Sequence, residues 1–239
     1  MSNNEQIIRT FTEMAPNYEE TVNLELTRFW GWSYQDFIRQ LIKMTPIKES
    51  DEILDIATGT GKIPRIIHED TGNGHRIHGL DITHSMLVRA QRLNEVENCP
   101  AAIKLTCASA MEMPYAPSSY DLVFCGLATH HMDVDQLLME VHRILRFGGS
   151  LAFADAGSSN LWNLPGVKWV IRLFAFGYYL LNENMTRAWA EAGAVSNVRT
   201  EEEWYTLLNK HNFSNISITK LERKHFWIPG ALIIRAEKT

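Results

Sequence analysis

Two glycines and two carboxylates stand at intervals suited to holding a nucleoside. Gly59 and Gly61 follow a short apolar run, "ILDIA", which carries Asp55. Asp81 is the next-to-last residue of the next apolar run, "RIHGLDI", and lies 20 positions after Gly61. Glycines let a backbone approach a ligand closely, and a carboxylate at this distance accepts hydrogen bonds from both ribose hydroxyls. The pattern predicts a nucleoside site at the carboxyl ends of two neighbouring strands.

The residues after the glycines separate two kinds of nucleoside ligand. A dinucleotide loop of the G-x-G-x-x-G type needs a third small residue where helix and strand touch, and Pro64 occupies that position. A nucleoside without a pyrophosphate, such as S-adenosylmethionine, needs only the glycine turn and the ribose acid. Asp55 then orients the turn or reaches the ligand's ammonium group through water. A tight corner without any ligand is the remaining alternative.

A second constellation, "THHMD" at residues 129–133, offers a general base. Imidazole titrates near neutrality, so His130 or His131 can take a proton from a bound acceptor. Capping or packing is the alternative role for this pair. Asp155, at the end of a later apolar run, is another candidate base and equally a structural cap. The segment lacks the Asp/Asn-Pro-Pro-Tyr/Phe signature that is used to methylate nitrogens of DNA and glutamine.

Short apolar runs that alternate with amphipathic segments must position these residues. The runs lie at 52–57, 76–82, 103–109, 120–127, 150–156, 215–224 and 230–238. This alternation is typical of a mainly parallel sheet covered by helices on both faces. We therefore predict an α/β, Rossmann-like fold with seven strands. Gly148 and Gly149 are expected to cap the preceding helix, and Thr200 with Glu203 predicts a capping box.

One domain accounts for the chain, with two helical additions. We predict a helical N-terminal arm or lid over residues 1–46, a ligand-binding domain over 47–239, and a helical insertion at about 158–199. The insertion is rich in Trp, Phe and Tyr, and a helix apolar on all sides is normally buried. Its alternatives are a pocket roof, a contact with a membrane surface, or a contact with a second subunit. The candidate substrate-binding residues are Tyr18, Trp30, His131, Trp162, Phe174 and Tyr178.

Charge and cysteine usage exclude several classes of protein. The 239-residue chain has a formal charge of −5 and no basic block, which argues against a nucleic-acid partner. Its most apolar run, 169–181, is shorter than the roughly 20 residues that span a bilayer, and the start lacks a signal peptide. Cys99, Cys107 and Cys125 form no metal-type pair. They predict free thiols, two of them buried in strands, in the reducing cytoplasm, with no metal site.

Four stretches together resemble the class I S-adenosylmethionine-dependent methyltransferases, nearest to the ubiquinone/menaquinone C-methyltransferase-like group (methyltransferase type 11). They are "LDIATGTG", "GLDITHSML", "ASAMEMPYAPSSYDLV" and "EVHRILRFGGSLAFAD". The resemblance implies that the glycines face the methionine part of the cofactor, Asp81 binds its ribose, and Ile82 and Met86 pack on its adenine. The candidate cofactor residues are Asp55, Ala57, Thr58, Gly59, Gly61, Asp81, Ile82, Met86, Ser109, Ala110, Met111 and Gly126.

Two positions depart from the pattern of that family. Ser109 stands where the family usually has Asp, although a serine hydroxyl still accepts one hydrogen bond from the adenine amine. Thr129 and His130 stand where the quinone C-methyltransferases carry an Arg-Asn pair. The second departure argues against a quinone acceptor.

The predicted function is methyl transfer from S-adenosylmethionine to oxygen or carbon of a small, largely apolar acceptor, which is quinol-, polyketide- or lipid-like. A cofactor-binding enzyme that catalyses a cyclisation or rearrangement is the second hypothesis. A non-catalytic subunit of the same fold is the third. The sequence leaves open a peripheral membrane contact and a homodimer.

Overall fold

A seven-stranded sheet organises the chain in this computed structural model, which describes residues 3–72, 75–97, 103–225 and 228–239. The helices are α1 (Asn3–Met14), α2 (Tyr18–Phe29), α3 (Tyr34–Lys43), α4 (Lys62–Thr71), α5 (His84–Val96), α6 (Val134–Ile144), α7 (Val167–Asn182), α8 (Met185–Ala194) and α9 (Glu201–Lys210). The strands are β1 (Glu52–Ile56), β2 (Arg76–Asp81), β3 (Ile103–Cys107), β4 (Tyr120–Gly126), β5 (Leu145–Ala156), β6 (Phe213–Lys220) and β7 (Ala231–Lys238).

The sheet has the order β3-β2-β1-β4-β5-β7-β6. The first five strands in this order are parallel, and β7 runs antiparallel to both β5 and β6. The predicted mainly parallel Rossmann-like sheet is confirmed. Because parallel strands end at the same edge, the segments that follow β1, β2, β3, β4 and β5 meet there.

Helices cover both faces of the sheet because neighbouring strand residues point to opposite sides. Leu54 belongs to a buried cluster that includes side chains of α6 and α9. Its neighbour Ile53 belongs to a second cluster, which includes side chains of α2, α3 and α4. Two-sided burial explains why the parallel strands read as continuous apolar runs.

The N-terminal helices form the predicted helical arm, and part of that arm belongs to the core. Phe37, Ile38 and Leu41 of α3 are completely buried. Glu19 ties α2 to α4, since its carboxylate lies 2.5 Å from the guanidinium of Arg65 and 3.2 Å from the ammonium of Lys62. The arm is therefore anchored through α2 and α3, and α1 lies over the edge of the sheet that carries the site.

The insertion after β5 is helical as predicted, but its main helix is not buried. A bridge between Gly157 and Arg199 closes the base of the insertion. No residue of α7 is buried, and Trp169 is 64 % exposed. The expected burial is wrong because α7 packs on one side alone. Its ring contacts are with neighbouring helices, Phe176 with Trp189 at 4.8 Å and Tyr178 with Phe29 at 5.4 Å between centroids.

The glycine pair after α6 does not cap the helix, contrary to the expectation. The helix ends at Ile144, and β5 begins at once with a bulge, where the register passes from Tyr120–Leu145 to Leu122–Ser150. Gly148 has a φ of +75°. A Cβ on Gly149 would lie 2.9 Å from the carbonyl oxygen of Arg146. Gly148 thus serves the bulge through its left-handed backbone, and Gly149 serves it through the close approach of a carbonyl oxygen.

Three smaller expectations can be compared with the structure. The Thr200 capping box is confirmed, with Glu203 N–H donating to the Thr200 hydroxyl and Thr200 N–H donating to the Glu203 carboxylate. Cys125 is buried, but Cys107 is exposed because β3 is an edge strand, so the second buried thiol was wrongly predicted. Cys99 lies outside the described residues. No helix within the described ranges is long and apolar enough to cross a membrane.

Candidate active site

The loop after β1 makes a tight turn built from left-handed residues. Ala57, Gly59 and Gly61 have φ values of +51°, +55° and +79°. Only glycine adopts this conformation without a steric cost. The Thr58 hydroxyl donates to Asp55 Oδ2 at 2.6 Å, which fixes the loop to the strand that precedes it. A Cβ on Gly59 would lie 3.7 Å from the Tyr18 ring, so α2 packs on the loop.

Asp81 joins this loop to the end of β2. Its Oδ2 accepts the Gly59 N–H at 2.9 Å, and its Oδ1 accepts the Thr83 N–H at 2.7 Å. Burial raises the pKa of Asp81, although both N–H groups act to lower it. Each oxygen keeps a lone pair beyond its backbone hydrogen bond, and the side chain lines a cavity. The carboxylate can therefore accept two further hydroxyl donors.

Asp55 carries a polar atom that no described residue satisfies. It is 1 % exposed, and its Oδ1 accepts no hydrogen bond from the described part of the chain. Burial raises its pKa to about 8, with a contribution from the nearby Asp81. A buried carboxyl oxygen without a partner costs free energy. A donor group that reaches Oδ1 through water would offset that cost.

A cavity of about 220 Å³ lies between the strand ends and α1. Ile7 and Phe11 of α1 form its roof. The predicted cofactor residues that line it are Ala57, Gly59, Asp81, Ile82, Met86, Ser109, Ala110 and Met111. The structure thus brings together eight residues that the sequence assigned to one ligand.

Four predicted cofactor residues, Asp55 among them, do not line this cavity. Thr58 turns its hydroxyl to Asp55. Gly61 is the N-cap of α4, and a Cβ there would meet Ala90 at 3.4 Å. A Cβ on Gly126 would meet Ile63 and Ile38 at 3.2 and 3.3 Å, on the side of α3 and α4. These residues shape the loop and the sheet edge behind the cavity.

A second cavity, of about 660 Å³, adjoins the first. The two cavities share four lining residues, Phe11, Tyr18, Leu127 and His131. All six predicted substrate residues line the larger cavity: Tyr18, Trp30, His131, Trp162, Phe174 and Tyr178. The aromatic insertion therefore forms a wall of a cavity that adjoins the smaller cavity at His131.

His130 is held by a buried carboxylate. Its ring Nδ1 lies 2.6 Å from Asp155 Oδ1, and its backbone N–H donates to Asp155 Oδ2. Asp155 also accepts the Thr129 hydroxyl and the Ala156 N–H. Burial alone would lower the pKa of His130, but the carboxylate outweighs it and raises that pKa. Burial likewise opposes the charge of Asp155, yet His130 holds its pKa below the usual value.

His131 stands between the two cavities and differs from its neighbour. Burial and the adjacent His130 lower the pKa of His131, so its imidazole is neutral near pH 7. Its Nε2 lies 3.6 Å from Glu191 Oε1. Burial would raise the pKa of Glu191, but Arg187 holds it well below the usual range. The neutral imidazole therefore has an ionised carboxylate beside it.

Arg187 gathers carboxylates from two helices at the polar end of the larger cavity. Its guanidinium lies 3.0 Å from Glu191 and 3.1 Å from Glu25. Burial raises the pKa of Glu25 to about 8 although Arg187 acts against it, because Glu191 and Glu183 add negative charge. One guanidinium thus faces three carboxylates, with Glu183 at 3.9 Å the most distant, and this surplus of negative charge favours the protonated form of Glu25.

Sequence reasoning missed this charged cluster of Glu25, Arg187 and Glu191. The only signal was the i, i+4 spacing of Arg187 and Glu191 on one helix, which is common on solvated surfaces. Phe11 was also missed, because nothing in the sequence indicates that α1 folds back over the strand ends.

A metal ion has one candidate place in the described part of the chain. His130, His131 and Glu191 each offer a ligand atom, and these atoms lie within 4.8 Å of one another. The guanidinium of Arg187 already neutralises that glutamate. The expectation of a metal-free site stays a prediction.

Comparison with known proteins identifies the same region. A model of the methyltransferase domain matches residues 54–153. A demethylmenaquinone methyltransferase of Lactobacillus johnsonii is 28 % identical over 218 residues, covering 88 % of this chain and 86 % of the relative.

Two solved structures share the fold at low sequence identity. Phosphoethanolamine N-methyltransferase 2 of Haemonchus contortus, in complex with S-adenosylhomocysteine, has a TM-score of 0.68 at 17 % identity, covering 100 % of this chain and 60 % of that one. The 4+2 cyclase SpnF has a TM-score of 0.67 at 14 % identity, covering 86 % and 81 %.

The residues at the strand ends fit the cofactor of these proteins. Asp81 offers free lone pairs to a ribose, and Gly59 brings the backbone of the glycine loop to the wall of the cavity. Residues 54–153 match a methyltransferase domain, so the chain carries a methyltransferase domain that uses S-adenosylmethionine.

Proposed function

We propose that this enzyme methylates an oxygen or a carbon on the polar head of a small amphiphilic acceptor. The observation that carries the proposal is the junction of two cavities at His131. The smaller cavity has the cofactor residues. The larger has a polar end, formed by the histidines and the charged cluster, and walls of aromatic and aliphatic side chains.

The cofactor supplies a methyl group that its sulfonium centre has already activated. We assign Asp81 to its ribose hydroxyls, Gly59 to close backbone approach, and Met86 to packing on its adenine. Ser109 accepts the Met111 N–H at 3.1 Å, and it keeps an O–H and a lone pair for the adenine edge. The neutral serine replaces a charged aspartate, so Asp81 carries more of the binding free energy.

His131 is the candidate general base. An acceptor hydroxyl must lose its proton as the new bond forms, and a neutral imidazole in both cavities is placed to take it. Glu191, at 3.6 Å, stabilises the imidazolium that results. We propose that His130 and Asp155 are positioning residues, because Asp155 is buried beneath His130 and its oxygens accept four hydrogen bonds.

A ring with hydroxyl or carbonyl groups suits the polar end of the larger cavity, and an apolar tail suits its walls. The relative named demethylmenaquinone methyltransferase supports a quinol-like head. Thr129 and His130 replace the Arg-Asn pair of quinone C-methyltransferases, so the contacts with the head differ from theirs. We place the reaction in the cytoplasm, which the free thiol of Cys125 fits.

A cyclisation inside the larger cavity is the second candidate function. The largely apolar walls of that cavity suit the folding of an unsaturated chain, and the fold is shared with a 4+2 cyclase. The two functions differ in product mass. Methyl transfer adds about 14 mass units, whereas a cyclisation leaves the mass of the substrate unchanged.

The test is a transfer assay with cofactor labelled in its methyl group. Acceptors are a reduced naphthoquinone ring with a prenyl tail, the same ring without the tail, and a fatty acid of similar length. We expect label in the tailed ring, and weaker labelling of the bare ring through a higher KM. Cofactor binding without transfer to any ring or lipid would contradict the proposal and favour a cyclase or a non-catalytic subunit.

A further inference from the structure

The outward side of α7 is apolar where a surface helix is normally polar. We define the outer face of α7 as Trp169, Val170, Leu173 and Leu180. Trp169 is 64 % exposed, Leu173 52 % and Leu180 39 %. Their spacings of three, four and seven residues put them on one side of the helix. The opposite side, which includes Ile171, Ala175 and Tyr178, lines the larger of the two cavities. We call it the acceptor cavity below.

Exposed apolar residues continue the outer face along the chain. Leu161 and Leu164 are exposed in the segment just before α7, and Leu181 is exposed at its end. Trp189 is exposed on α8, where it contacts Phe176 of α7. Extended exposed apolar surface marks a contact with a partner or a membrane.

The charges on α7 favour an anionic partner. Lys168 and Arg172 lie one turn apart, and neither forms an ion pair with a carboxylate among the residues that the structure describes. The helix contains no Asp or Glu between residues 167 and 182. The chain as a whole has a formal charge of −5. These two cations thus flank the apolar face of an acidic protein, and Lys168 lies in a cleft that Glu202 and Glu203 also line.

A second copy of the chain fits this face poorly. Two copies docked through α7 would bring four cations to one contact, with no carboxylate on either helix to pair with them. Like charges placed together oppose association. Phospholipid headgroups, in contrast, supply anions to both cations while the acyl chains take up the apolar side chains.

The size of α7 suits the plane of a membrane surface. Its 16 residues extend about 24 Å, less than the roughly 30 Å of a hydrocarbon core. Tryptophan and long cationic side chains are typical of the headgroup level, where their apolar stems and charged ends are both satisfied. Phe174, 75 % exposed, stands between solvent and the acceptor cavity that it lines. The mouth of the cavity therefore adjoins the outer face.

We propose that the outer face of α7 docks on an anionic phospholipid bilayer, with the mouth of the acceptor cavity turned toward the lipid. The docked helix lies parallel to the membrane surface. Lys168 and Arg172 contact phosphate groups, and Trp169 and Leu173 enter the apolar layer. The inference rests on exposed side chains and holds whichever acceptor the enzyme uses.

The test is co-sedimentation with vesicles of phosphatidylcholine, with and without phosphatidylglycerol. We expect binding to the anionic vesicles at about 1 mM lipid, weakened at high salt. Trp169→Gln together with Leu173→Gln should lower the partition coefficient at least about tenfold. Lys168→Gln with Arg172→Gln should remove the preference for anionic vesicles. The matched control is Phe147→Gln, since Phe147 is 83 % exposed on the β5 bulge, away from α7, and this variant should bind like the wild type.

Calorimetry with S-adenosylmethionine shows that each variant is folded, because none of these residues lines the cofactor cavity. Absence of binding to anionic vesicles would overturn the proposal, as would equal binding by the Trp169/Leu173 variant. A dimer in light scattering that the same substitutions dissociate would assign the face to a second copy. None of these results affects methyl transfer to a short-tailed acceptor in solution, so failure here is separable from failure of the proposed function.

Discussion

Replacing Asp81 by Asn should weaken cofactor binding by more than the loss of one hydrogen bond between neutral groups. In the wild type both oxygens accept backbone N–H groups, of Gly59 at 2.9 Å and of Thr83 at 2.7 Å. Asparagine has one acceptor oxygen, so its NH2 group must face one of these donors. The variant therefore loses the charged acceptor for the ribose hydroxyls and also loosens the glycine loop.

The magnitude follows from the two hydrogen bonds to the charged group. Each contributes about 1.5–3 kcal/mol when the acceptor is ionised. The neutral amide of asparagine retains part of one of these two contributions. We expect a loss of about 2–4 kcal/mol, which corresponds to a Kd about 30- to 700-fold higher. Isothermal titration with S-adenosylmethionine and with S-adenosylhomocysteine measures it directly.

The matched control is Asp121→Asn. Asp121 accepts the Glu52 N–H at 2.9 Å and pairs with Arg146, at the opposite end of β4 from the site. This variant should bind the cofactor as the wild type does. An Asp81→Asn variant that is folded and binds with unchanged affinity would refute the assignment of the ribose. An equal loss in the control would show that the effect is general destabilisation.

Three further predictions concern the titrating groups. His131→Gln should lower kcat for a hydroxyl acceptor about 10²- to 10⁴-fold at saturating cofactor, and unchanged turnover would remove His131 as the base. Asp155→Asn removes the carboxylate that raises the pKa of His130, so His130 should titrate at lower pH by NMR; an unshifted titration would contradict this coupling. Asp55 has a pKa of about 8 in the folded protein against an ordinary 3.8, so between about pH 4 and pH 8 it takes up a proton on folding, and the stability that it contributes declines as the pH rises. Relative to Asp55→Asn, the wild-type unfolding free energy should fall by up to about 1.4 kcal/mol per pH unit across this range, and parallel pH profiles for the two proteins would be inconsistent with a raised pKa.

The central fold could be predicted because each strand is locally encoded. Ile53 and Leu54 are both apolar because they face opposite covered sides of the sheet, and such runs stand out against the amphipathic helices. The capping box of Thr200 was equally local, since both of its partners lie within four residues. The helix cap predicted for the glycine pair after α6 was wrong because its structure depends on residues distant in the sequence. A helix cap and a β-bulge both use a left-handed glycine, and the paired strand β4 decides between them.

Burial of α7 and of Cys107 could not be predicted from composition. An apolar sequence indicates that its side chains avoid water. Which surface covers those side chains depends on contacts with residues that are distant in the sequence. In α7 one side lines a cavity and the other faces outward. Cys107 lies on β3, which has a neighbour on one side alone, so the thiol is exposed although the strand is apolar.

The cofactor side of the site was more predictable than the acceptor side. Gly59 and Asp81 lie at the carboxyl ends of β1 and β2, which are consecutive in the chain and paired in parallel. Their positions in the sequence therefore predict that they lie close together. The charged cluster at the acceptor end joins Glu25 on α2 with Arg187 and Glu191 on α8. Residues 162 positions apart share no local pattern, and only the folded chain shows that they meet.

A crystal structure of the protein with S-adenosylhomocysteine is the most direct test of the proposed division into two cavities. We expect the ligand in the smaller cavity, with its ribose hydroxyls on Asp81 and its adenine beside Met86, and with the larger cavity open at His131. A ligand bound in the larger cavity, or a ribose turned away from Asp81, would contradict it.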